Sequence, residues 1–193
     1  NLLMPIMGGY DQTSDDRSPR LVCVSGDCAH TNILSRIRAG HFCGVFHLAA
    51  DVSVVESIEK PIATLEQNVK KSLLIARACA EGKTKFVFSS SAAVYGYVDV
   101  KIKEHYQSMP TNPYGLSKST VESWLRVYSD LYGLDWVSLR YFNVYGPRQR
   151  GGSPYAGVIG NWIHNAYWNK PLTLYGDGTQ VRDFVYVKDI AKA

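Results

Sequence analysis

Four short apolar runs rich in β-branched and aromatic residues punctuate the chain: Leu21-Val22-Cys23-Val24, Val45-Phe46-His47-Leu48, Phe86-Val87-Phe88 and Trp136-Val137-Ser138-Leu139. Runs this short and this continuously apolar predict buried strands rather than half-exposed ones. Between them the spacing changes to helical. Ile33, Leu34 and Ile37 precede Gly40, and Leu65, Val69, Leu73 and Ala76 precede Gly82, each glycine suited to end a helix. A third helix is predicted over Gly115 to Tyr132, with Val121, Trp124, Leu125, Tyr128 and Leu131 on one face, Pro113 just ahead and Gly133 just behind. Strand alternating with helix predicts a parallel α/β sheet.

Beyond Tyr141 the pattern changes to Gly, Pro, Asn and aromatic residues. A helix around Gly157 to Trp168 is expected, then Leu172-Thr173-Leu174-Tyr175 and a Gly-Asp-Gly turn, which together read as a smaller, loop-rich lobe. The opening is equally informative. A dinucleotide-binding sheet begins with a strand, a glycine-rich turn and a helix whose N-terminus meets pyrophosphate. Gly8-Gly9 shows no strand ahead of it and no third glycine in register, and the chain begins at Asn1, so the first βαβ unit is expected to be missing. At the other end a helix is expected to start at Val187-Lys188-Asp189.

Composition narrows the classes. With 193 residues, 46% of them hydrophobic, the chain is long enough to bury a core. A formal net charge of +4 with 20% charged residues gives no field that implies nucleic acid or a membrane surface as partner. Cysteines at 23, 28, 43 and 79 have neither CxxC pairing nor a nearby histidine pattern, so no metal site and no disulfide framework is expected, and a reducing, cytoplasmic compartment fits.

The chemistry concentrates in two places. Tyr114 and Lys118 lie four residues apart at the start of the third helix, which stacks a phenol and an ammonium on one face. A cation nearby favours phenolate, as a tyrosine acting as a base near neutral pH requires. Tyr97 and Lys101 share the spacing but sit among alternating valines with no helix following, so they are set aside. The second place is Ser89-Ser90-Ser91, where a strand runs straight into three hydroxyls at its carboxyl end, the side of an open parallel sheet on which ligands bind. His47 and His105 have no acid or metal partner at a suitable spacing and read as structural or exposed.

These two elements, together with Val45-Phe46-His47-Leu48-Ala49-Ala50, Gln67-Asn68-Val69, Pro113-Tyr114-Gly115-Leu116-Ser117-Lys118, the run from Leu139 through Arg140, Tyr141, Phe142, Asn143 and Val144 to Arg148, and Val181-Arg182-Asp183-Phe184, resemble the extended short-chain dehydrogenases/reductases. The resemblance is to the NAD-dependent nucleotide-sugar epimerases of the UDP-glucose 4-epimerase type, from Gly26-Asp27 onward. It implies a Rossmann-type parallel sheet with helices on both faces over residues 1–150, part of a substrate-binding lobe over 151–182 and a return to the first domain at 183–193. It implies NAD as cofactor, Tyr114 as catalytic base, Lys118 as the group that lowers its pKa and binds the nicotinamide ribose, and Ser91 as the third catalytic hydroxyl. Asp27 and Cys28 would line the adenine pocket. Leu48, Ala49, Ala50, Asn68, Ser89 and Phe142 would contact the cofactor, and Ser91, Asn143, Tyr175 and Arg182 the nucleotide sugar, with Arg182 pairing with the diphosphate. A homodimer through a helix bundle is implied, Gly115 to Tyr132 contributing.

Departures sharpen the expectation. Related dehydratases carry an acidic pair after the catalytic hydroxyl, because expelling water needs an acid and a base beyond the hydride step. Ala92 and Ala93 stand there, and the glutamate of related decarboxylases is absent from the same run. Plain oxidation and re-reduction at C4 of a UDP-hexose is therefore the expected reaction. Another nucleotide-sugar epimerase, acting on an N-acetylhexosamine or a uronate, a dehydratase or reductase, and a non-catalytic dinucleotide sensor are the alternatives.

Overall fold

The computed structural model describes residues 3–7, 21–149, 151–152 and 156–193. It forms two compact units that divide after Leu139. The elements run β1 (Leu3–Met7), β2 (Leu21–Ser25), α1 (Thr31–Arg38), β3 (Gly44–His47), α2 (Val54–Glu59), α3 (Pro61–Thr64), a π-helical turn over Leu65–Lys70, α4 (Lys71–Glu81), β4 (Lys85–Ser91), a 3-10 turn over Ala92–Tyr95, α5 (Pro113–Tyr132) and β5 (Trp136–Tyr141), in which the division falls. β6 (Asn143–Tyr145), α6 (Val158–Tyr167), β7 (Phe184–Tyr186) and α7 (Val187–Ile190) follow. Among the described residues no helix is long and apolar enough to cross a membrane.

β3, β4 and β5 form one sheet in that order, β3 parallel to β4 with Phe46 opposite Val87. Side chains alternate across a strand. Phe86 and Phe88 therefore point together into the layer occupied by α4 and α5, where both are buried with Ile75, Cys79, Val121 and Leu125. His47 and Val45 take the same side. Phe46 and Val137 take the other, 69% and 46% exposed, so the expectation of uniformly buried strands holds for the helix-covered side of this sheet and not for the opposite one.

Two further expectations are corrected. A strand does precede Gly8-Gly9: β1 spans Leu3–Met7. Gly8 and Gly9 themselves lie outside the described residues. β1 pairs antiparallel with β2, Met4 opposite Val24, so the Leu21 to Val24 run joins a two-stranded ribbon in place of the parallel sheet, and Val24 is 45% exposed.

The helix signals map onto α1, onto the π-helical turn with α4, and onto α5, with refinements at the second and third. Gly40 is left-handed, as expected past a helix end. Gly82 is not: a Cβ there would lie 2.0 Å from the Ile37 carbonyl oxygen, so this glycine lets the end of α4 meet the end of α1 while Lys83 takes the left-handed position. On α5 the single apolar face divides. Val121 and Leu125 are buried, whereas Trp124 and Leu131 are 44% and 65% exposed, because the row Tyr114, Lys118, Val121, Glu122 and Leu125 turns to the sheet and leaves the others about a quarter turn away. β6 and β7, which pair in parallel with Asn143 opposite Phe184, had no clear sequence signal, being three residues each in a loop-rich stretch.

Candidate active site

α5 starts where its sequence dictates. Asn112 is extended and accepts from Gly115 N at 2.8 Å, and Pro113 occupies the first turn, where no backbone donor is needed. Gly115 permits a close approach: a Cβ would come within 2.5 Å of the Ala93 carbonyl oxygen. The first turn of α5 is thereby pressed against the 3-10 turn that follows β4, and Tyr114 meets Ser91.

Ser91 begins that turn, its hydroxyl accepting from Ala93 N at 3.2 Å, and neighbours the Tyr114 phenol. Burial raises the Tyr114 phenol above its ordinary value and the Ser91 bond pulls the other way. Lys118, 4% exposed, donates from Nζ to the Ser89 carbonyl at 2.8 Å and lies 5.0 Å over the Phe88 ring and 5.8 Å from the Tyr114 ring centroid. Burial pushes its ammonium down to about 8. Three polar groups thus converge at the carboxyl end of β4, a phenol with a hydroxyl beside it and a cation one turn away. Tyr97, by contrast, is 92% exposed and outside any helix.

Asn68 sits in the π-helical turn and is 1% exposed, so it is neither solvated nor a helix cap. Its amide clasps Asp51 from both sides, Oδ1 accepting from Asp51 N at 2.8 Å and Nδ2 donating to Asp51 O at 2.9 Å, and Nδ2 also reaches Ser117 Oγ at 3.3 Å. The loop carrying Leu48, Ala49 and Ala50 after β3 is therefore tied to α5. Such π turns gather at functional sites because the extra residue re-aims a side chain. Ser72 donates to the Asn68 carbonyl at 2.5 Å, so its one proton is committed and the 2.8 Å contact with His47 must be a donation from His47 Nε2. The bare Nδ1 is buried with no partner among the described residues.

Asp27 and Cys28 follow β2. Lys71 is 2.9 Å from Asp27, and this bond holds the carboxyl below its ordinary range, while burial raises the Cys28 thiol. Cys28, Cys43 and Cys79 are free thiols. Two contributors had no sequence signal. Ser57, 1% exposed on α2, accepts from Tyr114 N at 3.2 Å, and Glu122, 4% exposed, accepts from Ser90 and Ser138. Each is a common residue type, recognisable only from its partner.

In the second unit Asn143 clamps the start of β7, its backbone N and its Nδ2 both donating to Asp183 O, at 3.2 and 2.7 Å. Phe142 is half-buried, Arg182 donates to the Val181 carbonyl, and Tyr175 is 83% exposed, with its carbonyl held by Gln180. A cavity of about 460 Å³ within this unit is lined by Tyr145, Arg148, Gln149, Ile163, His164 and Tyr167 among others, not by Asn143, Tyr175 or Arg182.

A tyrosine and a lysine four apart on a helix, facing a serine at the end of a parallel strand, define the short-chain dehydrogenase/reductase class of site. Residues 9–193 match the NAD dependent epimerase/dehydratase family, and the chain belongs to it. It is similar to the UDP-N-acetylglucosamine 4-epimerase of Methanobrevibacter ruminantium, solved with UDP-N-acetylmuramic acid (42% identity, TM-score 0.82, covering 88% of this chain and 55% of that one). It also resembles the Thermus thermophilus UDP-glucose 4-epimerase solved with NAD (38% identity, TM-score 0.79, 86% and 57%). The UDP-glucose 4-epimerase of Azospirillum brasilense is 36% identical over 185 residues, 88% of this chain and 53% of the relative. The chain spans about half the length of the curated relatives it matches.

Proposed function

We propose that the full-length protein carrying this sequence interconverts nucleotide sugars at C4, of the UDP-glucose/UDP-galactose type, with NAD as its cofactor. The observation that carries this reading is the Tyr114 phenol beside Ser91, four residues before Lys118, whose ammonium is buried and held on the Ser89 carbonyl at the end of β4.

The residues suit a nicotinamide dinucleotide. Ala49 and Ala50 leave the backbone open to a ligand on a loop that Asn68 holds, and Lys118 offers a desolvated cation with donors to spare for ribose hydroxyls. NAD, held there, would supply reversible hydride acceptance at C4, so that the sugar carbon can be oxidised and re-reduced with no net consumption of cofactor. Tyr114, as phenolate, takes the proton of the C4 hydroxyl directly or through Ser91, and the positive charge of Lys118 stabilises that phenolate. When the 4-keto sugar has turned over, Tyr114 gives the proton back, so only configuration changes. Asn143 and Arg182 serve the diphosphate side of the substrate, and Tyr175 lies near the nucleotide base, as the family resemblance implies.

The test is to incubate the full-length protein with UDP-glucose or UDP-galactose, following the sugar by NMR and NADH by absorbance. Interconversion without net NADH is expected. Net NADH would indicate a one-way oxidoreductase, and no product from any UDP-sugar would reject the reading in favour of a different nucleotide or a sensor. The 42% identity to a UDP-N-acetylglucosamine 4-epimerase favours an N-acetylhexosamine as the second substrate to try.

We further propose a homodimer that packs α5 against its counterpart. Trp124, Val127 and Leu131 form an exposed stripe at helical spacing, 44%, 43% and 65% accessible, on a helix whose other side is core. Leu131→Lys is expected to shift the full-length protein from dimer to monomer in sedimentation velocity; a dimer of unchanged affinity would place the interface elsewhere.

A further inference from the structure

Three residues of α5 spaced four apart, Tyr114, Lys118 and Glu122, dock on three consecutive serines of β4. Tyr114 neighbours Ser91, Lys118 donates to the Ser89 carbonyl at 2.8 Å, and Glu122 accepts from the Ser90 hydroxyl at 2.6 Å. The Glu122 carboxylate also accepts from Ser138 of β5 at 3.0 Å and is 4% exposed. The first two contacts belong to the chemistry already described; the third does not.

A buried carboxylate is an expensive way to fill space, since an apolar side chain of that size would pack as well with no desolvation penalty. What a carboxylate adds is direction. Two hydroxyls from adjacent strands aimed at one carboxylate oxygen define both the rotation of α5 about its axis and its height above the sheet. Those are the two coordinates that decide whether the Tyr114 oxygen meets Ser91 or misses it. Ser90 is flanked in the chain by the two serines that serve Lys118 and Tyr114, so a shift at Ser90 is passed to both.

We propose that Glu122 is a positioning residue for the catalytic pair, holding Tyr114 and Lys118 in register with Ser91 and Ser89 through its hydrogen bonds to Ser90 and Ser138. The proposal rests on the reading of Tyr114 as the base.

Four forms of the full-length protein test it: wild type, Glu122→Gln, Glu122→Leu and Ser90→Ala. Glutamine keeps an acceptor for both hydroxyls, so its kcat is expected to stay within about threefold of wild type, whereas leucine removes the acceptor and kcat falls roughly tenfold to a hundredfold with KM nearly unchanged, the scale set by a small misplacement of a catalytic group. A second readout is the ionisation of Tyr114, followed as the phenolate absorbance lost on adding Tyr114→Phe to each form. Loss of a negative charge by itself favours the phenolate, and Glu122→Gln isolates that effect. An upward shift in Glu122→Leu therefore reports a slackened Ser91 contact. Wild-type kcat and an unshifted phenol in a folded Glu122→Leu protein would overturn the proposal. If leucine prevents folding, Ser90→Ala decides, because it deletes one donor only: a several-fold fall in kcat with a shifted phenol is expected, and neither change would overturn it. Should wild type interconvert no nucleotide sugar, the proposed function fails, and the Tyr114 titration still decides the role of Glu122.

Discussion

Tyr114→Phe in the full-length protein is expected to lower kcat for C4 epimerisation by roughly a thousandfold, within the range that a positioned acid–base group supplies, while NAD stays bound. The substitution removes one oxygen from a half-buried ring and leaves its packing, and the Tyr114 backbone remains anchored by Ser57 and by the Asn112 cap. Lys118 keeps its bond to the Ser89 carbonyl, which does not involve the phenol. Turnover is therefore expected to fall without a matching loss of cofactor, measured as NAD retained after gel filtration against the rate of UDP-sugar interconversion. A variant that epimerises at a near-normal rate would remove Tyr114 from the role of base. A variant that loses NAD as well would show that the phenol holds the cofactor more than it moves the proton.

Unfolding free energy is expected to drop by about 3 kcal/mol as the pH falls from 6.5 to 4 on account of His47 alone, the linkage worth of a group that titrates near 6.5 when unfolded and near 4 when folded. His47 is 2% exposed, stacked on Phe86 and Phe88 at ring-centroid distances of 5.8 and 6.1 Å, and burial followed by the Lys118 charge pushes its pKa down to about 4. The sign follows from which state takes up the proton. Below 6.5 the unfolded chain binds a proton at this imidazole that the native chain refuses, so stability is lost as pH falls through that window and levels off once the folded group also protonates. Protonation would also give Nδ1, already without a partner among the described residues, a buried N–H to satisfy. Glutamine at position 47 can still donate to Ser72 but does not titrate. Urea unfolding of the full-length protein across this range should show a shallower acid loss in His47→Gln than in wild type, and equal slopes would mean that other groups carry the acid response.

The separation between what was legible early and what was not follows the range of the interactions. Tyr114 and Lys118 could be paired from spacing because the α-helix turns a four-residue separation into a neighbour relation, and Pro113 and Gly133 mark the ends of that helix by local backbone chemistry, to which the structure adds the Asn112 cap. Ser89 to Ser91 could be placed at the carboxyl end of a strand for the same local reason. The assignments of Asp27, Cys28, Phe142, Asn143, Tyr175 and Arg182 came from family resemblance and remain proposals, since a role toward a cofactor or a nucleotide sugar is not a property of a residue's own backbone.

Partners distant in sequence escaped the reading. The partnership of Glu122 with Ser90, 32 residues away, that of Asn68 with Ser117, 49 away, and that of Tyr114 with Ser57, 57 away, depend on helices meeting strands across a core. The sense of β2 also escaped, because an apolar run looks alike whether it joins a parallel sheet or an antiparallel ribbon. The sequence by itself determined the longer helices, the positions of β2 to β5, the stacking of Tyr114 on Lys118 and a run of serines at a strand end, all products of periodicity and short-range sterics, while the choice of Ser91 and the proton-transfer roles came from the family resemblance and remain proposals. Only the tertiary structure decided which face of each element is covered, and which buried polar groups find partners, because burial and hydrogen-bond satisfaction belong to the packed chain as a whole.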